Sequence, residues 1–192
     1  MILENLIDFD AATQKQEIRS VMREASKKLD YTIRVASEEK ATARLKVICE
    51  GHAFVLSYAS FGQELGTWKL NEQLAKEGRL LLPRVHGNDL LIYQVADIKT
   101  NLSRSNLGIL EPIPELCQEV SKECLTLMLV PGLAFDRLNF RLGYGKGFYD
   151  RFCSQIGEHV VCFGVGFKHQ LLMENYLPIE PHDVPLSKTY LF

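Results

Sequence analysis

The stretch V130-PGLAFDRLNFRLGYGKGFYDR-F152 decides how the rest of the chain is read. It holds four of the 13 glycines, and three of them, Gly143, Gly145 and Gly147, alternate with Leu142, Tyr144, Lys146 and Phe148. Before it, "LTLMLVPG" (Leu125 to Gly132) is an apolar run of strand length cut off by Pro131-Gly132. After it, "GFYDRFCSQIG" places Phe148, Phe152 and Ile156 at i, i+4 and i+8, the spacing of one helix face. A strand, a glycine loop and a helix in that order form the unit with which open α/β sheets bind ligands past the carboxyl end of a strand.

Working outward, the same alternation continues. Thr13 with Gln16 suggests a capping box that opens a helix over "TQKQEIRSVMREASKKLD", with Ile18, Val21, Met22, Ala25 and Leu29 as its buried stripe. Lys15, Arg19, Arg23 and Lys27 follow one another at i+4 and make a basic stripe, which on its own reads as a solvated face. "SEEKATARLKVICE" after Ser37 predicts a second helix, and "AFVLSYA" (Ala53 to Ala59) a short buried strand. "GTWKLNEQLAKEG" predicts a helix ending at Gly78. "RLLLPRV" and "DLLIYQV" flank His86-Gly87-Asn88 and predict a strand pair. "HVVCFGVGF" and "KTYLF" are the remaining strand candidates. Helices between short apolar strands imply an open, mainly parallel sheet with helices on both faces. With no repeat, low-complexity tract or linker, residues 1–192 read as one α/β domain.

Composition excludes several classes. The chain has 192 residues, 46% hydrophobic and 24% charged, with a formal net charge of -2, so it lacks the global basic field of a non-specific nucleic-acid binder. No run of about 18 apolar residues predicts a membrane span, and the N-terminus lacks the cationic and apolar regions of a secretory leader. The five cysteines are scattered without a Cys-x-x-Cys pair and read as mostly buried small apolar residues in a reducing compartment. The five dispersed histidines offer no transition-metal site.

The glycine loop has the makings of a phosphate cradle. Glycine lets backbone N–H groups approach an anion, the following helix start adds partial positive charge, and Arg141 and Lys146 add full charges. Lys146 is followed by Gly147 and Phe148, so the hydroxyl of a Walker A loop is missing; the glycine spacing is also wrong for the dinucleotide fingerprint. Asp150 could supply a magnesium ligand instead. Taken separately, the glycines fit a surface turn and Asp150 fits an early-helix acid. "KGFYDRF" also echoes an RNA-recognition octamer, but Tyr149 and Asp150 stand where that motif wants a small and an apolar residue.

The string Pro131-Gly132, Phe135-Asp136 and Arg141-Leu-Gly-Tyr-Gly-Lys-Gly-Phe-Tyr-Asp150 resembles the 5-formyltetrahydrofolate cyclo-ligase family. Further matches run in order along the chain: Lys15 and Arg19, Glu64 in "FGQELGTWKL", Pro83-Arg84, "GILEP" (Gly108 to Pro112) and Asp183 in "PHDVPL". The resemblance implies the open sheet shared with sugar-phosphate isomerases and CoA transferases. It also implies ATP-dependent closure of 5-formyltetrahydrofolate, with or without a polyglutamate tail, to 5,10-methenyltetrahydrofolate. Under it, Lys15, Arg19 and Arg141, Leu142, Gly143, Tyr144, Gly145, Lys146, Gly147, Phe148 and Tyr149 contact ATP. Lys146 and Arg141 are the catalytic candidates, and Glu64 with Tyr144, Gly145, Lys146, Gly147 and Phe148 contacts the folate. Asp150 and Asp183 hold Mg2+, while Arg23 and Lys27 stay solvated. The expected setting is a cytoplasmic monomer with neither nucleic acid nor membrane as partner. The chain departs from the family pattern at Asn139, Phe140, Phe148 and Ser187. Another ATP-dependent enzyme on this fold, or a non-catalytic folate- or nucleotide-binding protein, remains as an alternative.

Overall fold

The computed structural model describes residues 10–173 and 176–192. The leader reading rests on residues 1–19, of which residues 1–9 lie outside the described ones. Helix α1 (Ala11–Lys27) leads into α2 (Tyr31–Cys49), strand β1 (Val55–Leu56), α3 (Trp68–Lys76) and the hairpin β2 (Leu80–His86) and β3 (Asp89–Gln94). Then come β4 (Leu102–Arg104), β5 (Leu110–Pro112), β6 (Gln118–Glu119), β7 (Leu127–Pro131), β8 (Ala134–Phe135) and β9 (Arg141–Leu142). Helix α4 (Phe148–Cys153), β10 (Val161–Gly166) and β11 (Lys188–Leu191) complete the chain.

Seven strands form one sheet in the order β11-β10-β7-β1-β2-β3-β6. Its first five members pair in parallel and β3 and β6 pair antiparallel, so the sheet is mainly parallel as expected. Two small antiparallel ribbons, β4-β5 and β8-β9, stand apart from it; neither was legible in the sequence.

The period of two along each strand sorts the core into two faces. Val55, Leu80, Leu82, Leu127 and Leu129 pack with Ala41 and Leu45 of α2 and Leu70 and Leu74 of α3. Their neighbours Leu56, Leu81, Met128 and Val130 pack with Phe152 of α4, and Phe148 and Ile156 lie against the same cluster. Helices therefore cover both faces, which is why β1, β7 and the first three residues of β2 are apolar throughout. A third cluster joins Ile18 and Met22 of α1 to Leu133, Ala134 and Leu142 of the β8-β9 ribbon.

Local signals were misread at several points. The α1 cap is Asp10, whose carboxylate accepts from the Thr13 N–H at 2.8 Å, so Thr13 and Gln16 lie inside the helix rather than opening it. The buried stripe of α1 runs through Lys15, Ile18, Met22 and Ser26, and Ala25 is exposed. Asp30 caps α2 by accepting from Thr32 N–H at 2.8 Å, so that helix begins well before Ser37. Gly78 does follow the end of α3, at φ +68°. The cysteines are all free, and only Cys49 and Cys162 are buried; Cys117 and Cys153 are half-buried and Cys124 is exposed.

One packing relationship explains glycines outside the loop. A Cβ on Gly132, Gly164 or Gly166 would stand 2.7–2.8 Å from the ring of Phe135, which is fully buried. Asp136, next to it, is buried too and caps its own turn, accepting from Leu138 N–H and Phe140 N–H at 2.9 Å each. Asn139 completes that turn at φ +65°, the single non-glycine residue with positive φ among the described residues.

Candidate active site at the switch point of the sheet

Strand order reverses between β1 and β7, and ligands bind open α/β sheets at the carboxyl ends of such strands. A cavity of about 890 Å³ opens there, lined by Tyr58 and Ala59 after β1 and by Pro131 at the end of β7. Every residue singled out from the sequence as a site candidate lines it. Lys15 and Arg19 come from α1, Glu64 from the loop after β1, and Arg141 through Asp150 from β9, the glycine loop and α4; Asp183 comes from the segment before β11. Pro83 and the ribbon residues Leu110 and Glu111 also reach it, and Arg84 ties β2 to that ribbon by donating to the Pro112 carbonyl at 2.7 Å.

The three alternate glycines each face an arginine. A Cβ at Gly143 would meet the Arg141 guanidinium at 2.8 Å, one at Gly145 would meet that of Arg19 at 3.4 Å, and one at Gly147 would meet that of Arg151 at 2.8 Å. Gly145 (φ +99°) and Gly147 (φ +65°) also need the left-handed conformation. Glycine thus serves two ends here: it bends the loop and lets three cationic side chains approach the backbone. Arg19 uses that space to donate from Nε to the Gly143 carbonyl at 2.9 Å. Because α4 has only six residues, under two turns, side chains rather than a helix dipole supply most of the positive charge.

Two ion pairs bracket the loop. Arg141 Nη2 lies 2.9 Å from Asp150 Oδ2, with side chains only 4% and 17% exposed. The same guanidinium stacks over Tyr149 at 5.2 Å. Lys15 Nζ donates to Glu180 Oε2 at 2.7 Å and to Asp183 Oδ2 at 2.5 Å. Burial pulls the Lys15 ammonium down, but the bonds and charges of Asp183 and Glu180 outweigh it and raise its pKa. Burial and neighbouring Arg23 lower that of Arg19. Lys146 differs from all of these: it is exposed, and among the described residues nothing pairs with its ammonium.

Glu64 is half-buried and its carboxyl is pushed up to about 7 by burial, opposed only by the Phe61 N–H that Oε2 accepts at 2.8 Å. Burial and the charge of Glu64 raise the hydroxyls of Tyr144 and Tyr149 above the ordinary tyrosine range. A carboxyl raised by burial beside a cavity is the kind of perturbed group that makes Glu64 a candidate for the site.

Asp150 and Asp183 each give Oδ2 to a cation, and their Oδ1 atoms accept no hydrogen bond among the described residues. Among those residues no group of three or more His, Cys, Asp or Glu could hold a metal, so the protein alone builds no cage. Magnesium needs only one or two carboxylates when phosphate and water oxygens complete its shell, so the two aspartates fit it.

The sequence assigns no site role to Glu180, whose only signal is its place three residues before Asp183, nor to buried Glu111 within "GILEP", which accepts from Val85 N–H at 3.4 Å. It also left Arg23 solvated, whereas Arg23 lies over the Tyr144 ring at 5.7 Å. Lys27 is exposed and pairs with Glu24 at 2.7 Å, as a surface residue would.

Fold and cavity together define an open α/β protein with a cationic, glycine-lined site at the switch point of its sheet. Residues 11–190 match the model of the "5-formyltetrahydrofolate cyclo-ligase family". The chain is 35% identical over 137 residues to the 5-formyltetrahydrofolate cyclo-ligase of Escherichia coli (strain K12), covering 69% of this chain and 74% of that protein. It is 30% identical to the enzyme of the same name from Haemophilus influenzae over 91% of this chain and 96% of that one. The NMR structure of Aquifex aeolicus 5,10-methenyltetrahydrofolate synthetase superposes with a TM-score of 0.78 at 30% identity, over 90% of this chain and 86% of that one. The Mycoplasma pneumoniae 5,10-methenyltetrahydrofolate synthetase, at a TM-score of 0.72 and 18% identity, shares the fold. The chain belongs to the 5-formyltetrahydrofolate cyclo-ligase family and is an enzyme.

Proposed function

We propose that the protein closes 5-formyltetrahydrofolate to 5,10-methenyltetrahydrofolate at the expense of ATP, with Mg2+, as one cyclo-ligase domain acting as a cytoplasmic monomer. One observation carries the reading: in a chain of this family, the cationic glycine loop and the carboxyl of Glu64 line the same cavity.

The formamide oxygen is a poor leaving group. Transfer of the γ-phosphoryl group to that oxygen, with ADP leaving, converts it to a good one. The N10 amine of the same folate then attacks the activated carbon, the C–O bond breaks, phosphate departs and N10 loses its proton. Little covalent chemistry falls to the protein, which positions two substrates and neutralises growing charge. Lys15, Arg19, Arg141 and residues 142–149 bind ATP. Arg141, held by Asp150, is a fixed charge for the phosphates, and Lys146, with no partner among the described residues, is free to follow the transferring group. Glu64, with Tyr144, Gly145, Lys146, Gly147 and Phe148, binds the folate, its carboxylate accepting from the N–H edge of the pterin. Asp150 and Asp183 would hold the magnesium ion, which screens phosphate charge.

The test is a near-UV absorbance time course with 5-formyltetrahydrofolate, Mg2+ and ATP, against a control without ATP. The methenyl product has an extended amidinium chromophore that the substrate lacks. An ATP-dependent rise, lost in Lys146→Ala, is the expected result. A flat trace from folded protein that still binds ATP would overturn the substrate assignment and favour another ATP-dependent reaction on this fold.

A further inference from the structure

The loop that carries Glu64 is gripped from behind by a residue that does not line the cavity. Arg34 of α2 donates from Nη2 to Gln63 Oε1 at 2.7 Å and from Nη1 to the Glu64 carbonyl at 3.3 Å. Among the described residues, these are the hydrogen bonds that reach the 61–64 turn from outside its own loop. The ends of the loop are fixed separately: Tyr58 donates its hydroxyl to the Leu65 carbonyl at 2.9 Å, and the Gly66 N–H donates to Glu38 Oε1 at 3.2 Å. The guanidinium itself has a rigid seat. It lies over the ring of Phe167 at 4.8 Å, and Phe167 is buried at the end of β10. Glu38, one helical turn along α2, stands 3.8 Å away.

We propose that Arg34 is a positioning residue for folate binding, holding the 61–64 turn so that the Glu64 carboxylate faces the cavity where the pterin edge arrives. The inference rests on the reading of Glu64 as the folate contact. Its physical basis is the local tether: Glu64 Oε2 is tied to Phe61 N–H within the turn, so the carboxylate goes where the turn goes. The planar fork engages two acceptors on adjacent residues at once, a geometry that lysine cannot reproduce.

The test compares KM for 5-formyltetrahydrofolate and for ATP in wild type, Arg34→Met, Arg34→Lys and Glu64→Gln, and in the double variant Arg34→Met/Glu64→Gln. Expected is a rise of about tenfold in the folate KM for Arg34→Met, the loss of hydrogen bonds from a charged donor. The ATP KM should change less than about twofold, and Arg34→Lys should recover part of the loss. In the Glu64→Gln background the Arg34→Met effect on the folate KM should vanish, since the two act as one unit. Equal changes in both KM values, or a full Arg34→Met effect without the Glu64 carboxylate, would overturn the proposal. If Glu64→Gln alone leaves the folate KM unchanged, the reading of Glu64 fails, a separate outcome that takes the inference with it. Should Arg34→Met not fold, Gln63→Ala removes the shorter of the two contacts and must raise the folate KM selectively for the proposal to stand.

Discussion

Arg141 and Asp150 hold the two ends of the glycine loop together: Nη2 and Oδ2 are 2.9 Å apart, and both side chains are largely withdrawn from water. A charge pair so withdrawn matters chiefly through what happens when one partner is lost, because the survivor keeps its desolvation cost. Asp150→Asn leaves the Arg141 guanidinium buried against a neutral amide. Denaturant unfolding at pH 7 should show a stability loss of about 1–3 kcal/mol, below the value for a fully buried pair because Asp150 retains some exposure. An unfolding midpoint equal to wild type would mean that the pair does not hold the loop.

Lys146 stands in contrast, an exposed ammonium on the loop with no partner among the described residues. Removing it should leave the fold untouched, so the effect should fall on turnover and substrate binding and not on stability. Lys146→Ala is expected to lower kcat by about 10²–10³-fold, the range for losing one stabilising contact to developing charge, with an unchanged melting temperature. Lys27→Ala, which removes an exposed surface pair, should change kcat by less than about twofold. Similar losses in the two variants would remove Lys146 from the chemistry.

Much of this architecture is written in local patterns, and the misses have identifiable causes. β1, β7 and the first three residues of β2 are apolar throughout because both faces are covered, so the existence of these strands was legible. The extent of β1 was not: only Val55 and Leu56 pair within the predicted Ala53–Ala59 run. Helix starts failed where two capping candidates competed, since Asp10 and Thr13 are both good caps and only the chain's path chooses between them. The site residues could be picked out by type and spacing, but their partners could not. Nothing local says that Lys15 meets Glu180 and Asp183, 165 and 168 residues away. The departures from the family pattern find structural reasons: Asn139 takes the positive φ, Phe140 packs against the α1 cluster, and Ser187 Oγ accepts from the Cys162 N–H at 3.0 Å.

Under the proposed folate role, Glu64 should give stability and function opposite pH dependences. Its carboxyl is raised from 4.5 to about 7, so between those values the folded state holds a proton that the unfolded state has released. Stability from this group is fully present below about pH 4.5 and is lost as pH rises through 7, by about 3 kcal/mol. A pterin edge with more than one N–H donor is held best by the ionised form, both of whose oxygens accept, so the folate KM should fall as pH rises through about 7. Glu64→Gln should be more stable than wild type at pH 8, bind folate more weakly there, and lose both pH dependences. Parallel pH profiles for variant and wild type would show that the titrating group is another one.

Gly164 sits in β10, where an added Cβ would come within 2.8 Å of both the Phe135 ring and the Leu186 side chain. Phe135 is fully buried, with its ring also closely approached by Gly132 and Gly166, so in a close-packed interior a shift of the ring is costly. Gly164→Ala should therefore cost about 1–3 kcal/mol as overpacking and lower the melting temperature by several degrees. Phe135 shares its backbone with Asp136, whose carboxylate caps the 136–140 turn just before Arg141, so a shift of Phe135 should raise the ATP KM as well. Pairing Gly164→Ala with Phe135→Leu removes the clash and should recover part of both losses. An additive double variant would show that the strain is taken up by Leu186 instead of the aromatic ring.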